Sequence, residues 1–154
     1  MKVAFLGMPA AGKSTMGRKL AEMLGYTFID LDKWIETQEK LTIQEIFTRF
    51  GENYFREMER VALHQTLKKD NIILATGGGT PCFYDNLEML RKNFLCVFID
   101  APIESIAQRI IKNQKARPLF INLKEDEIIE KLKNLHQNRL QYYNKAHIYW
   151  DNSL

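Results

Sequence analysis

The sequence predicts an α/β domain with a mostly parallel sheet. Three observations carry that expectation: short continuous apolar runs, amphipathic helical patterns that alternate with them, and a loop rich in glycine between the first run and the first helix. Strands covered on both faces read as unbroken apolar runs rather than as alternation. Val3–Leu6 is the first such run. Residues 13–24 follow as a helix, with Met16, Leu20, Met23 and Leu24 expected on one inward stripe. Gly25 marks its end, before a second strand at Tyr26–Ile29. Residues 33–38 and 42–49 read as two short helices, and Thr42 precedes Glu45 by three positions, the spacing of a capping box. Residues 51–68 form a longer helix with Phe55, Met58, Ala62 and Leu63 inward. Ile72–Ala75 is the third strand, residues 84–91 a helix, Leu95–Ile99 a very apolar fourth strand and residues 103–112 a helix. Residues 113–124 read as a polar loop. Glu125–Tyr143 is the last long helix, striped by Ile128, Leu132 and Leu135, and Ile148–Trp150 a final short strand.

Composition narrows the class. A chain of 154 residues is the size of one domain with a real core, here taken as 1–154. With 45% hydrophobic and 27% charged residues, it excludes intrinsic disorder. A net charge of +3 is small for a general nucleic-acid binder and suits small anionic ligands. No apolar run approaches the ~20 residues of a bilayer span. The N-terminal apolar stretch, about five residues, falls short of the roughly 7–15 in a signal peptide. Neither nucleic acid nor membrane is an expected partner, and the cytoplasm is the expected location. Cys82 and Cys96 lack metal-like spacing and are expected as unpaired thiols. His64, His136 and His147 show no metal spacing either.

Gly7-Met8-Pro9-Ala10-Ala11-Gly12-Lys13-Ser14 fits G-x-x-x-x-G-K-[ST] and lies between a buried strand and an amphipathic helix. Successive backbone N–H groups of such a loop wrap nucleotide phosphates, and the helix N-terminus adds positive potential. Lys13 can reach the β- and γ-phosphates, and the Ser14 hydroxyl can ligate Mg²⁺. Glycines that serve only folding are the alternative. Phe28-Ile29-Asp30-Leu31-Asp32 places two carboxylates at the C-terminal end of a strand, where ligands of open α/β sheets collect. One can hold a Mg²⁺ water, and the other can orient or deprotonate an attacking hydroxyl. The same residues also fit a solvated turn, with Asp32 capping a helix from Lys33. Trp34, beside them, suits a pocket wall or the core.

Three arginines fall in separate segments. Arg56 follows Phe55, and Glu59 at i+3 can hold its guanidinium for a substrate carboxylate. Arg139 follows the stripe of the last helix. Arg117 lies in the polar loop, from which it could swing over a γ-phosphate. Each could equally be a solvated surface arginine. Thr76-Gly77-Gly78-Gly79-Thr80-Pro81 suggests either close backbone approach to a ligand or a flexible hinge.

Taken in order, GMPAAGKS, FIDLDKWIE, IFTRFGENYFREMER, ATGGGTP, ARPLF and NRLQYYNKA resemble the shikimate kinase family of P-loop small-molecule kinases, over nearly the whole chain. The resemblance implies a three-layer fold, with a five-stranded parallel sheet flanked by helices. It also implies a helical substrate-binding region at about 31–60 and a lid at about 109–124. The implied reaction moves the ATP γ-phosphate to the 3-hydroxyl of shikimate, in aromatic amino acid (chorismate) biosynthesis, with Mg²⁺ as cofactor and a monomer as the expected state. By match to the family pattern, Lys13, Asp32 and Arg117 are catalytic. Ala10, Ala11, Gly12, Lys13, Ser14, Thr15, Arg109 and Arg117 contact ATP. Asp32, Arg56, Gly77, Gly78, Gly79 and Arg139 contact shikimate. Ser14 and, through water, Asp30 hold the metal, and Glu59 orients Arg56.

The sequence departs from the family at three places. Pro9-Ala10-Ala11 stands where members commonly have Met-Gly and a small residue, so Ala10 is expected in a conformation that does not require glycine. Ile110 stands where some members place an adenine-stacking arginine, for which Arg109 is the substitute. Many members continue past the position of Leu154 through an adenine-contacting loop and a helix. Rival readings are another small-molecule P-loop kinase, acting on gluconate or a nucleoside monophosphate, and a non-catalytic nucleotide-binding module of the same fold.

Overall fold

The computed structural model describes residues 1–114 and 117–153. Lys115 and Ala116 of the expected lid, and Leu154, lie outside the described residues. Five strands, β1 (Lys2–Leu6), β2 (Thr27–Asp30), β3 (Ile72–Ala75), β4 (Leu95–Asp100) and β5 (Ile148–Asp151), form one sheet in the order β2-β3-β1-β4-β5. Every pairing is parallel, with Val3 opposite both Ile73 and Leu95. The inner strands are the continuous apolar runs, and Ala4, Leu6, Ile73, Leu74, Cys96 and Ile99 are fully buried. β5 is an edge strand, exposed at all four residues.

Among the described residues, six α-helices connect the strands: α1 (Lys13–Leu24), α2 (Leu31–Glu39), α3 (Ile43–Thr66), α4 (Asn86–Asn93), α5 (Ile103–Lys112) and α6 (Glu125–Tyr143). The chain places β3 on one side of β1 and β4 on the other. Strand order therefore switches at β1, and the crevice at its carboxyl end is the ligand position of such sheets. The loop 7–12, Asp30 and Thr76–Gly79 all leave the sheet at that edge.

Three local expectations need correction, and one about a helix break holds. α1 buries Lys13, Gly17 and Ala21 with Met16 and Leu20 half-buried, whereas Met23 and Leu24 are 75% and 47% exposed. The reason is Gly17: a Cβ there would lie 2.5 Å from the Phe28 ring, so the helix meets the sheet along its small residues. α2 begins at Leu31, and its cap is Asp30, whose Oδ1 accepts from Lys33 N–H at 3.2 Å. Asp32 is thus not the cap. The two helices expected at 42–49 and 51–68 are both present as the two arms of α3, opened by the Thr42–Glu45 capping box and separated by a kink at the non-helical Gly51. Gly51 has φ 87° with open space around a Cβ, so the backbone angle alone demands glycine. Finally, the segment expected as a polar loop carries an apolar anchor. Pro118–Phe120 forms a 3₁₀ turn that buries Phe120. Gln114 Nε2 holds it by donating to the carbonyls of Phe120 (2.7 Å) and Leu123 (2.8 Å), and Lys131 Nζ donates to that of Leu119.

Candidate active site

The phosphate loop begins with a tight turn. Ala11 N–H donates to Met8 O at 3.2 Å, with Pro9 second and Ala10 third at φ 61°. Proline second and a left-handed third residue are the form of a type II turn, whose third position favours glycine. Ala10 was expected to avoid that conformation and instead adopts it, at a cost of about 1–2 kcal/mol for an L-residue. Arg109 Nη1 donates to Ala10 O at 2.6 Å, and Asn152 Nδ2 donates to Ala11 O at 3.0 Å. Lys13 follows at the start of α1. It is buried, and its ammonium donates to Gly7 O (2.6 Å) and Met8 O (2.7 Å). Burial, then the Arg117 guanidinium, pushes the Lys13 pKa down to about 7. Ser14 Oγ donates to Asp30 Oδ2 at 2.9 Å, so the capping carboxylate of α2 also anchors the first turn of α1. Thr15 is exposed on that turn.

Asp32 sits in the first turn of α2 and lines a cavity with Arg56, Glu59, Arg117 and Arg139. Its Oδ1 is buried without a hydrogen-bond partner, a costly state for a carboxylate unless a ligand supplies one. Burial, then the carboxylates of Glu59 and Asp30, pushes its pKa up to about 7. Arg56 and Arg139 are only 5% and 8% exposed. Arg56 Nη1 donates to Glu59 Oε1 at 3.0 Å, and its guanidinium lies 4.2 Å from the Phe83 ring centre and 5.2 Å from that of Phe55. Glu59 is fully buried and also accepts from Thr80 Oγ1 at 2.7 Å. Burial raises the Glu59 pKa, opposed by Arg56. Among the described residues, Lys13, Arg117 and Arg139 form no ion pair. Unpaired cations beside one cavity, two of them buried (Lys13 and Arg139), call for anionic ligands.

The glycine triplet is a close approach rather than a hinge. A Cβ on Gly77 would lie 3.1 Å from Asp32 Oδ1 and from Glu59 Oε2. One on Gly78 would lie 2.9 Å from Arg139 Nη1, and one on Gly79 2.6 Å from Arg56 Nη2. Side chains there would displace the charged groups. The structure thus brings Asp32, Arg56, Gly77, Gly78, Gly79, Arg117 and Arg139 to one cavity, and Ala10, Ala11, Gly12, Lys13, Ser14, Asp30 and Arg109 to the adjoining loop. Trp34 is elsewhere, with its indole N–H on Gln65 and its ring under Lys69. Sequence reasoning missed Tyr143, buried with its hydroxyl donating to Gly78 O, and Thr80, Phe83 and Asn152. Only Tyr143 left a signal, since it extends the stripe of Ile128, Leu132 and Arg139 at steps of four, seven and four along α6.

Comparison with known proteins decides between kinases that share such a loop. The family model described as shikimate kinase matches residues 9–153. The chain belongs to the shikimate kinase family. A shikimate kinase of Clostridium botulinum (strain Loch Maree / Type A3) is 40% identical over 146 residues, 94% of this chain and 84% of that relative. A solved shikimate kinase from Acinetobacter baumannii in complex with shikimate superposes with a TM-score of 0.93 at 34% identity, covering 99% of this chain and 84% of that one. A crystal structure of shikimate kinase from Bacteroides thetaiotaomicron gives 0.93 at 33%, covering 98% and 86%. Among the described residues no helix is long and apolar enough to cross a membrane.

Proposed function

We propose that this chain transfers the γ-phosphoryl group of ATP to the 3-hydroxyl of shikimate, giving shikimate 3-phosphate and ADP. The observation that carries the reading is the buried, unpartnered Asp32 Oδ1 in a cavity that also holds Arg56, Arg117 and Arg139, with Glu59 paired to Arg56. A hydroxylated carboxylic acid satisfies both features at once. Its hydroxyls meet Asp32, and its carboxylate meets the planar forks of Arg56 and Arg139. Gluconate and a nucleoside monophosphate also bring an anion and hydroxyls, so the choice of shikimate among them rests on the family match.

In the reaction, the 3-hydroxyl oxygen forms a bond to the γ-phosphorus while the bond from that phosphorus to the β,γ-bridging oxygen breaks. The hydroxyl proton passes to Asp32, whose pKa of about 7 suits a base at neutral pH. Lys13 exchanges its loop carbonyls for the β- and γ-phosphates, and Arg117 stabilises charge on the transferring group. Arg56 and Arg139 fix the acceptor, with Glu59 locking the Arg56 fork.

Mg²⁺ fits the oxygen donors beside the loop. Ser14 Oγ and, through a water, Asp30 would hold it, and it would neutralise phosphate charge. Among the described residues no three His, Cys, Asp or Glu side chains gather into a metal cluster. Phosphate oxygens and water would supply the rest of its shell. The deciding experiment is ADP release from Mg-ATP with and without shikimate, then with gluconate and nucleoside monophosphates. Turnover with shikimate alone is expected. Shikimate-independent turnover, or none with any acceptor, overturns the reading.

A further inference from the structure

We propose that Asn152 and Arg109 are positioning residues for phosphate binding, which hold two successive carbonyls of the loop outward and so aim its amides at the nucleotide. The proposal rests on the kinase reading above. A trans peptide directs its C=O and its following N–H to opposite sides. Asn152 Nδ2 holds Ala11 O at 3.0 Å, so the Gly12 N–H of the same peptide faces away from Asn152. Arg109 Nη1 holds Ala10 O at 2.6 Å and thereby fixes the third residue of the opening turn in its left-handed conformation.

Both groups come from far along the chain, 141 and 99 positions from their acceptors, so the phosphate-loop motif does not contain them. Asn152 is itself rigidly placed. Its backbone N–H donates to Asp100 O at 2.6 Å, which continues the β4–β5 ladder by one residue. Its amide also closes on Gly12, where a Cβ would lie 2.7 Å from Nδ2. Glycine at 12 is thus required by Asn152 as well as by its φ of 108°. Arg109 stands on α5, eight residues before Arg117, so one short stretch of chain reaches both the loop and the cavity. This places Arg109 against the loop backbone, a different task from stacking on adenine.

The test is calorimetric titration of Mg-ADP into wild type and variants, beside shikimate titration and thermal unfolding. Asn152→Ala is expected to weaken ADP about tenfold, the worth of one hydrogen bond of this kind. Asn152→Asp, which offers only acceptors to a carbonyl and to phosphates, is expected to lose about 100-fold. Shikimate affinity should stay within about twofold in both, since no shikimate group touches Asn152 in the proposed binding mode. Arg109→Ala should weaken ADP about fivefold, and adding Ala10→Gly should restore part of it, because glycine reaches the left-handed conformation unaided. The proposal fails if both Asn152 variants bind ADP like wild type, or if ADP and shikimate affinity fall together with the melting temperature. A wild type that binds ADP but does not phosphorylate shikimate overturns the kinase reading alone, and the ADP titrations still decide the loop.

Discussion

Arg56 and Lys13 are both buried cations on the rim of one site, and their partners differ in kind. Arg56 shares two charge-assisted contacts with acidic neighbours, Glu59 at 3.0 Å and Glu52 at 3.6 Å, and its plane is packed against Phe83. Among the described residues, Lys13 donates only to neutral carbonyls of its own loop. Arg56 is therefore fixed and charge-compensated before any ligand arrives. In the nucleotide half the cation rests on weaker partners that phosphates can replace. Rigidity on one side suits recognition of a small ring, and release on the other suits a ligand that leaves as ADP.

Asp32 lies where the two halves meet, and removing its charge should have the largest effect. Asp32→Asn is expected to lower kcat by about 10³-fold, within the range for a general base, while Mg-ADP still binds. Steady-state kinetics with a parallel nucleotide titration check this. If the variant turns over at the wild-type rate, Asp32 takes no part in proton transfer.

The arginines test the comparison next. Arg56→Ala strands Glu59 in the core, so a loss of about 3–5 kcal/mol of stability is expected together with a raised shikimate KM. Arg139→Ala should raise KM similarly with a much smaller stability loss, because it strands no paired carboxylate. Adding Glu59→Gln to Arg56→Ala should recover much of the stability and none of the KM. Denaturant melts and shikimate kinetics on the four proteins separate the two quantities. Equal stability losses for the two arginines would erase the proposed contrast.

The fold was legible because parallel strands buried on both faces print themselves as apolar runs. Ile72–Ala75 and Glu125–Tyr143 begin and end where periodicity puts them. The site was legible only where chemistry travels in a motif. Arg139 is the instructive case, since an arginine on the same stripe as Ile128 and Leu132 has to be buried, and a buried arginine needs a reason. Asn152 left no such mark. Its role depends on a strand pairing that carries residue 152 to the loop, and no local pattern encodes that meeting. Ala10 failed the expectation for a similar reason, because Pro9 and the bond from Arg109 override the intrinsic preference of alanine.

The titrations of Asp32 and Lys13 give a subtler contrast. The folded pKa of Asp32, about 7, lies above its ordinary value of 3.8, so the folded state holds that proton more tightly. Its stabilising contribution is complete below about pH 4 and is lost as pH rises to about 7. The folded pKa of Lys13, about 7, lies below 10.5. The unfolded chain then holds the extra proton between about 7 and 10.5, and stability rises with pH through that window. Ligand-free protein should therefore lose stability from pH 4 to 7 through Asp32 and regain it above pH 7 through Lys13. Asp32→Asn should flatten the acid branch and Lys13→Met the alkaline one, read as melting temperature against pH. If Asp32 is the base, an acid limb near pH 7 is expected in kcat/KM for shikimate. A limb near pH 4 would place the rate-controlling group elsewhere.

The smallest effect belongs to Tyr143, which ties α6, the helix that carries Arg139, to the glycine triplet. Its hydroxyl donates to Gly78 O, and its ring packs 5.1 Å from that of Phe98 in β4. Tyr143→Phe keeps the packing and removes only the hydroxyl, so the expected stability loss is about 1 kcal/mol. Gly78 lies against Arg139, and freeing its carbonyl loosens the acceptor side. A two- to threefold rise in shikimate KM is expected, about half the free energy of that hydrogen bond, with ADP affinity unchanged. If ADP affinity falls instead, the triplet belongs to the nucleotide half, and the division drawn between Arg56 and Lys13 is in the wrong place.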